Sequence, residues 1–125
     1  MKILVPTILM LVLFSCLEST DPRLGDEFEL AFSQTSQIDN ENIVIKFVGV
    51  SEDSRCPTNV NCIWAGNAKI LLEIFQDTLS INTALEPKNI EVNGYQIELK
   101  SVSPYPNGIE AVNIDDYSIG IVVTK

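Results

Sequence analysis

The chain has 125 residues, 46% hydrophobic and 20% charged, which gives room for one domain with a real core and no more. Seventeen acidic side chains stand against eight basic ones, a net charge of −9, and this excludes a nucleic-acid binder, because phosphate recognition needs clustered lysine and arginine. Histidine is absent, which removes histidine acid–base chemistry, Ser-His and Cys-His nucleophile pairs and most zinc sites.

Met1-Lys2 is a short positive start. Ile3 to Phe14 is a 12-residue apolar run broken only by Pro6 and Thr7. It is too short to span a bilayer as a mature helix and has the length of a secretory h-region. The run ends in Leu13-Phe14-Ser15-Cys16. A small residue directly before a cysteine at such a point resembles the lipobox of bacterial lipoproteins. The resemblance implies cleavage before Cys16, with residues 1–15 as the leader and a diacylglycerol thioether on Cys16, usually joined by an amide-linked third acyl chain. The alternative is an ordinary signal peptide with a chance cysteine. Each buried CH₂ contributes roughly 0.8 kcal/mol, so two or three acyl chains anchor stably where one does not. Leu17 stands after the cysteine in place of aspartate, which in diderm bacteria implies transfer to the outer rather than the inner membrane. The expected location is therefore the cell envelope, with the membrane as a partner through the lipid. Residues 16–24 (CLESTDPRL) are polar and short and read as a tether, which leaves residues 25–125 as the domain.

That domain reads as all-β. Phe28, Leu30 and Phe32 alternate with Glu27, Glu29 and Ala31. Ile43, Ile45 and Phe47 share one face of the next run, and Val44, Val48 and Val50 leave its other face partly apolar. Ile70, Leu72 and Ile74 follow, then Leu79, Ile81 and Thr83. Ile90 and Val92 precede Asn93-Gly94, and Tyr95, Ile97 and Leu99 come after it. Tyr117, Ile119, Ile121 and Val123 close the chain. Short β-branched runs of period two, separated by turn residues, are strand signals. Both central residues of a type I′ turn need positive φ, which Asn and Gly tolerate best, so Asn89–Val92 and Tyr95–Lys100 are predicted to form a hairpin. About seven strands in one domain predict a single small antiparallel sandwich, with a small β-barrel as the alternative. Some ten to fifteen inward side chains at roughly 1.5–3 kcal/mol each supply a sufficient core without a metal or cofactor.

Strand patterning stops at Glu52, and Glu52 to Ala68 reads EDSRCPTNVNCIWAGNA. Assigning Cys16 to lipid leaves Cys56 and Cys62 as one pair, and an exported protein sits where disulfides form. So short a loop gains roughly 2–2.5 kcal/mol from closure, enough to fix its shape. A redox centre would prefer two spacer residues between the cysteines, and a metal site lacks further ligands. Asp53-Ser54-Arg55-Cys56-Pro57, four residues, Cys62, one residue, then Trp64-Ala65-Gly66 resembles a motif of small exported or lipid-anchored bacterial proteins of uncharacterised function. The Pro104-Tyr105-Pro106 segment is similar too. The resemblance implies an exported β domain and carries no activity. In physical terms, Asp53 and Ser54 can accept loop N–H groups, and Gly66 allows a close neighbour or a positive φ. Trp64 is either a plug over the disulfide or core, or a ligand platform. Arg55 pairs either with a local carboxylate such as Asp53 or Glu52, or with a partner. Tyr105 is either a stiff exposed loop tip or an end-cap of the core.

No spacing selects a catalytic pair, so a non-enzymatic role is expected. The acidic pairs Asp26-Glu27, Glu52-Asp53 and Asp115-Asp116 have no calcium-loop spacing and read first as solvated surface, with a Ca²⁺ site as the alternative. The leading expectation is an envelope lipoprotein carrying a non-catalytic binding or accessory module for an envelope protein or a small ligand. Arg55, Trp64 and Tyr105 are its candidate contacts. The alternatives are a protease inhibitor that presents Arg55 from the braced loop, and a structural lipoprotein whose motif only holds its own fold.

Overall fold

The structure, a computed structural model, describes residues 21–108 and 110–125. The leader and Cys16 therefore lie outside the described residues. Eight strands form: β1 (Glu27–Ala31), β2 (Thr35–Gln37), β3 (Val44–Asp53), β4 (Ala68–Ile74), β5 (Asp77–Asn82), β6 (Asn89–Val92), β7 (Tyr95–Ser103) and β8 (Ser118–Thr124). They make two four-stranded sheets, in the orders β1-β8-β7-β6 and β2-β3-β4-β5. Every pairing is antiparallel. Neither sheet closes on itself, so the domain is a sandwich rather than a barrel. The strand beyond the predicted seven is β2. Its residues, Thr35-Ser36-Gln37, carry no apolar alternation to betray it, and it holds to the sheet edge by pairing with Val44–Lys46.

The core is the inner face of both sheets. Ile45, Phe47, Ile70, Leu72, Ile74 and Ile81 meet Leu30, Ile97, Ile119, Ile121 and Val123, all at 0–1% exposure. Isoleucine dominates because its branched Cβ suits a pleated, buried surface. Three bulges interrupt the period. Two lie in β3, between Phe47 and Gly49 and between Val50 and Glu52, and they carry the strand on through Glu52 and Asp53. The segment that loses its alternation at Glu52 is therefore still strand. The third, between Leu99 and Ser101 in β7, turns Val102 inward where strict alternation would bury serine.

The two ends of the sandwich differ. At one end the strands turn tightly. Asn93 and Gly94 take φ of 48° and 83° between β6 and β7, the predicted hairpin, and Phe75-Gln76 makes a second two-residue turn at φ of 52° and 69°. The N-terminal segment joins here, with the Gly25 N–H donating to the Val123 carbonyl at 2.8 Å. Glu41 ties the C-terminus to the same end, accepting from Tyr95 Oη at 2.8 Å and Lys125 Nζ at 3.1 Å. At the opposite end, β1, β3, β5 and β7 finish and the long connections 54–67, 83–88 and 104–117 gather. The last of these contains a single 3-10 turn, Ile114–Asp116, capped by the Asn113 side chain.

Candidate functional site

The long-loop end is built around Asp53 and Arg55. The second bulge of β3 delivers Asp53 to the strand's last rung, opposite Ala68, with its side chain 9% exposed. Two residues on, Arg55 folds back over it. Arg55 Nε donates to Asp53 Oδ1 and Nη2 to Oδ2, both at 2.9 Å, a bidentate fork. The rest of the guanidinium reaches the other sheet: Nη1 donates to the Val102 carbonyl at 2.6 Å and Nη2 to that of Pro104 at 2.7 Å. Tyr117, entering β8, donates its hydroxyl to Asp53 Oδ2 at 2.6 Å. One carboxylate and one guanidinium thus bind β3, β7 and β8 together.

Burial works against the charge on Asp53, but the hydrogen bonds from Arg55 and Tyr117 outweigh it and hold the carboxyl below its usual range. Burial likewise opposes the Arg55 charge, and the Asp53 carboxylate more than restores it. Burial, then the bond to Asp53, pushes the Tyr117 hydroxyl up to about 12. The cluster is fixed as carboxylate, guanidinium and neutral phenol across the physiological range.

Beside it, Ser54 binds the return of the loop. Its N–H and Oγ both donate to the Asn67 carbonyl, and Asn67 N–H donates to Ser54 Oγ at 3.0 Å. Gly66 sits at φ +69°, and a Cβ there would lie 2.7 Å from Arg55 Cα and closer still to the Ser54 carbonyl oxygen. Only glycine serves on both counts. Asn67 is 3% exposed and fully engaged: its amide donates to Asn82 Oδ1 at 3.0 Å, and its oxygen accepts from the N–H groups of Ala84 and Leu85.

Above this base, Cys56 and Cys62 are bonded, closing Pro57–Asn61. The closed loop docks on the 104–108 segment. Thr58 N–H donates to the Pro106 carbonyl at 3.1 Å, and Gly108 N–H to Asn59 Oδ1 at 3.1 Å. Between the disulfide loop, the end of β3 and residues 110–117 runs a groove of about 600 Å³, with Trp64, Glu52, Glu110 and Ile114 among its lining.

The three candidate contacts part company. Arg55 is 6% exposed, with four of its five guanidinium N–H donors held inside the protein, so it supports the surface from below. The inhibitor reading needs an arginine free to enter another protein's pocket, and this one is not free. Tyr105 is 57% exposed and lays its ring over the guanidinium, with Cζ 4.5 Å from the ring centroid. It caps the cluster and also reaches solvent. Trp64 is no core plug: it is 62% exposed and forms part of the groove wall with Cys62 and Pro57. The sequence reading missed Ile63, 97% exposed between the second cysteine and Trp64, and the structural parts played by Asn67 and Tyr117. Ile63 carried a signal, an isoleucine in a loop with no strand to bury it. Asn67 carried none.

The three acidic pairs do not share one place: Asp26-Glu27 lies at the start of β1 at the tight-turn end, whereas Glu52-Asp53 closes β3 and Asp115-Asp116 sits in the 104–117 connection, both at the long-loop end. Among the described residues, no group of three or more His, Cys, Asp or Glu could hold a metal ion. Comparisons of the chain with known protein families, with curated proteins and with solved structures gave no match.

Proposed function

We propose that the protein is a lipid-anchored component of a bacterial envelope whose sandwich is a non-catalytic binding module. Its binding surface is the long-loop end, with Trp64 and Ile63 as contacts and the Arg55-Asp53-Tyr117 cluster as the rigid base beneath them. One observation carries this reading. Of eight exposed large apolar side chains among the described residues, Val60, Ile63, Trp64, Leu85, Tyr105 and Ile114 lie on the loops of that one end. Water-exposed apolar groups gathered on one surface mark an interaction site more often than scattered ones do. The disulfide and the buried ion pair fix the loop in advance, which lowers the ordering cost of association. The cysteine-leader pattern ending at Cys16 supports the anchor.

A crosslinked pull-down from envelope extract tests the surface, with the parent protein and its Trp64→Ala form as baits, both first shown to melt at similar temperatures. A partner captured by the parent and lost by the variant supports the reading. Equal capture moves the surface elsewhere, and no capture by either bait leaves the motif as fold support alone. Cys16→Ser tests the anchor: the variant is expected to be released or left uncleaved. Continued membrane fractionation after processing would overturn that part.

A further inference from the structure

Within the proposed binding surface, the groove has a charge that narrows its occupant. Its wall offers an aromatic face, Trp64, and its rim two carboxylates, Glu52 and Glu110. Both glutamates are exposed, and neither makes an ion pair among the described residues. Lys69 stands opposite Glu52 in the β3–β4 register without forming one. Asp115 and Asp116 follow directly on Ile114, another lining residue. The one cation in the lining, Arg55, is neutralised by Asp53 and faces inward. The groove therefore presents negative charge beside an indole ring, on a protein of net charge −9. An anionic ligand is repelled. A cation is drawn in from a distance and held over the ring by its quadrupole.

We infer that the groove takes a basic polypeptide segment, with a lysine or arginine side chain against the Trp64 ring and its charge met by Glu52 and Glu110. This rests on the binding-module reading above and adds the chemical class of the partner. A polypeptide fits better than a free amine because the groove lining also offers apolar surface, Ala111, Val112 and Ile114, for residues flanking the cation. A neutral glycan would stack on the ring and donate its hydroxyls to the carboxylates, but it gains nothing from the groove's negative charge.

The test uses the full chain in detergent micelles and a fluorescein-labelled peptide of lysine, arginine, leucine, glycine and serine. Its counterpart has glutamate and aspartate at the basic positions. Anisotropy is expected to show saturable binding of the basic peptide only, weakening several-fold as salt shortens the Debye length from about 30 Å to 8 Å. Trp64→Ala is expected to weaken it by about 30-fold, the size of an interface anchor. Glu52→Gln with Glu110→Gln is expected to weaken it by about 3- to 10-fold, as two rim charges do. The pair Glu73→Gln with Glu91→Gln, on β4 and β6 away from the groove, removes the same charge and should leave affinity within about twofold. Because Trp64 is the only tryptophan, its emission independently reports unlabelled peptide or an unlabelled chitin oligomer. Absence of basic-peptide binding, equal loss in the distant glutamate pair, or a response to the glycan alone would overturn the inference. An envelope partner lost by Trp64→Ala but retained by Glu52→Gln/Glu110→Gln would overturn the charge class while leaving the binding surface standing.

Discussion

Replacing Arg55 by methionine keeps most of the side chain's apolar stem and removes its four hydrogen bonds. Asp53 is left with the Tyr117 hydroxyl and a long bond from the residue 55 backbone N–H, 3.3 Å in the parent. The carbonyls of Val102 and Pro104 lose their donor. Summed one by one, four charge-assisted bonds at about 1.5–3 kcal/mol would overstate the cost, since they share one guanidinium. Removing one partner of a buried ion pair costs about 3–5 kcal/mol, mostly the burial of the charge left behind. In a domain with about 5–15 kcal/mol of stability the variant still folds. Its urea midpoint should fall by about 2–3 M and its Tm by about 15–30 °C, followed by far-UV circular dichroism. The pH dependence gives a second reading. The Asp53 carboxyl titrates lower folded than unfolded, so its contribution is full above the ordinary carboxylate value and is lost as pH falls through the lowered one. The gap between parent and Arg55→Met should therefore narrow in acid. Asp53→Asn combined with Arg55→Met should cost less than Arg55→Met alone, since no uncompensated charge remains. A gap below about 1 kcal/mol at neutral pH, or one that does not narrow in acid, would refute the reasoning.

Tyr117→Phe should cost about 1.5–3 kcal/mol through the lost bond to a carboxylate, read as a urea midpoint. The parent should also lose stability as pH rises from 10 to about 12, because the folded state holds the Tyr117 proton longer than the unfolded one, and Tyr117→Phe should lack that decline. Gly66→Ala should cost more than about 2 kcal/mol, because strain at positive φ adds to a clash with the Ser54–Arg55 backbone; a melt close to the parent's would mean the loop yields freely. Trp64→Ala should stay within about 0.5 kcal/mol of the parent by chemical denaturation, since a mostly exposed ring contributes little to folding.

The parts legible in sequence are those whose cause is local. Asn93-Gly94 is read correctly because the turn's demand for positive φ is met by those residues alone. Ile45, Ile70, Ile119 and their neighbours are read correctly because a half-buried strand writes its inner face every second residue. Phe75-Gln76 makes the same tight turn without a turn signature, since Ile74 and Asp77 on either side are already held by β4–β5 pairing. β2 is likewise held by its neighbour and not by its own composition. The bulges hid the end of β3, because each shifts the period that reveals a strand. In the candidate site, Asp53 and Arg55 were visible as a pair two residues apart. Their long-range partners, Val102, Pro104 and Tyr117, were not, and those partners decide that Arg55 points inward. Trp64 shows the converse: the tryptophan beside the disulfide reads as a plug, yet it stands 62% exposed on the groove wall.

The separation of the two ends also sets a distance. The chain arrives beside Val123, where β8 finishes, and the ion-pair cluster lies beside Tyr117, where β8 begins. Six residue steps at about 3.3 Å each place these points about 20 Å apart. With Cys16 acylated as proposed, the five peptide units to Asp21 add at most about 18 Å. The Trp64 groove lies at the end of the sandwich opposite the one the N-terminal segment enters. A partner need not be embedded in the anchoring membrane; it must come within a few nanometres of it, and lengthening residues 16–20 should extend that reach without altering affinity.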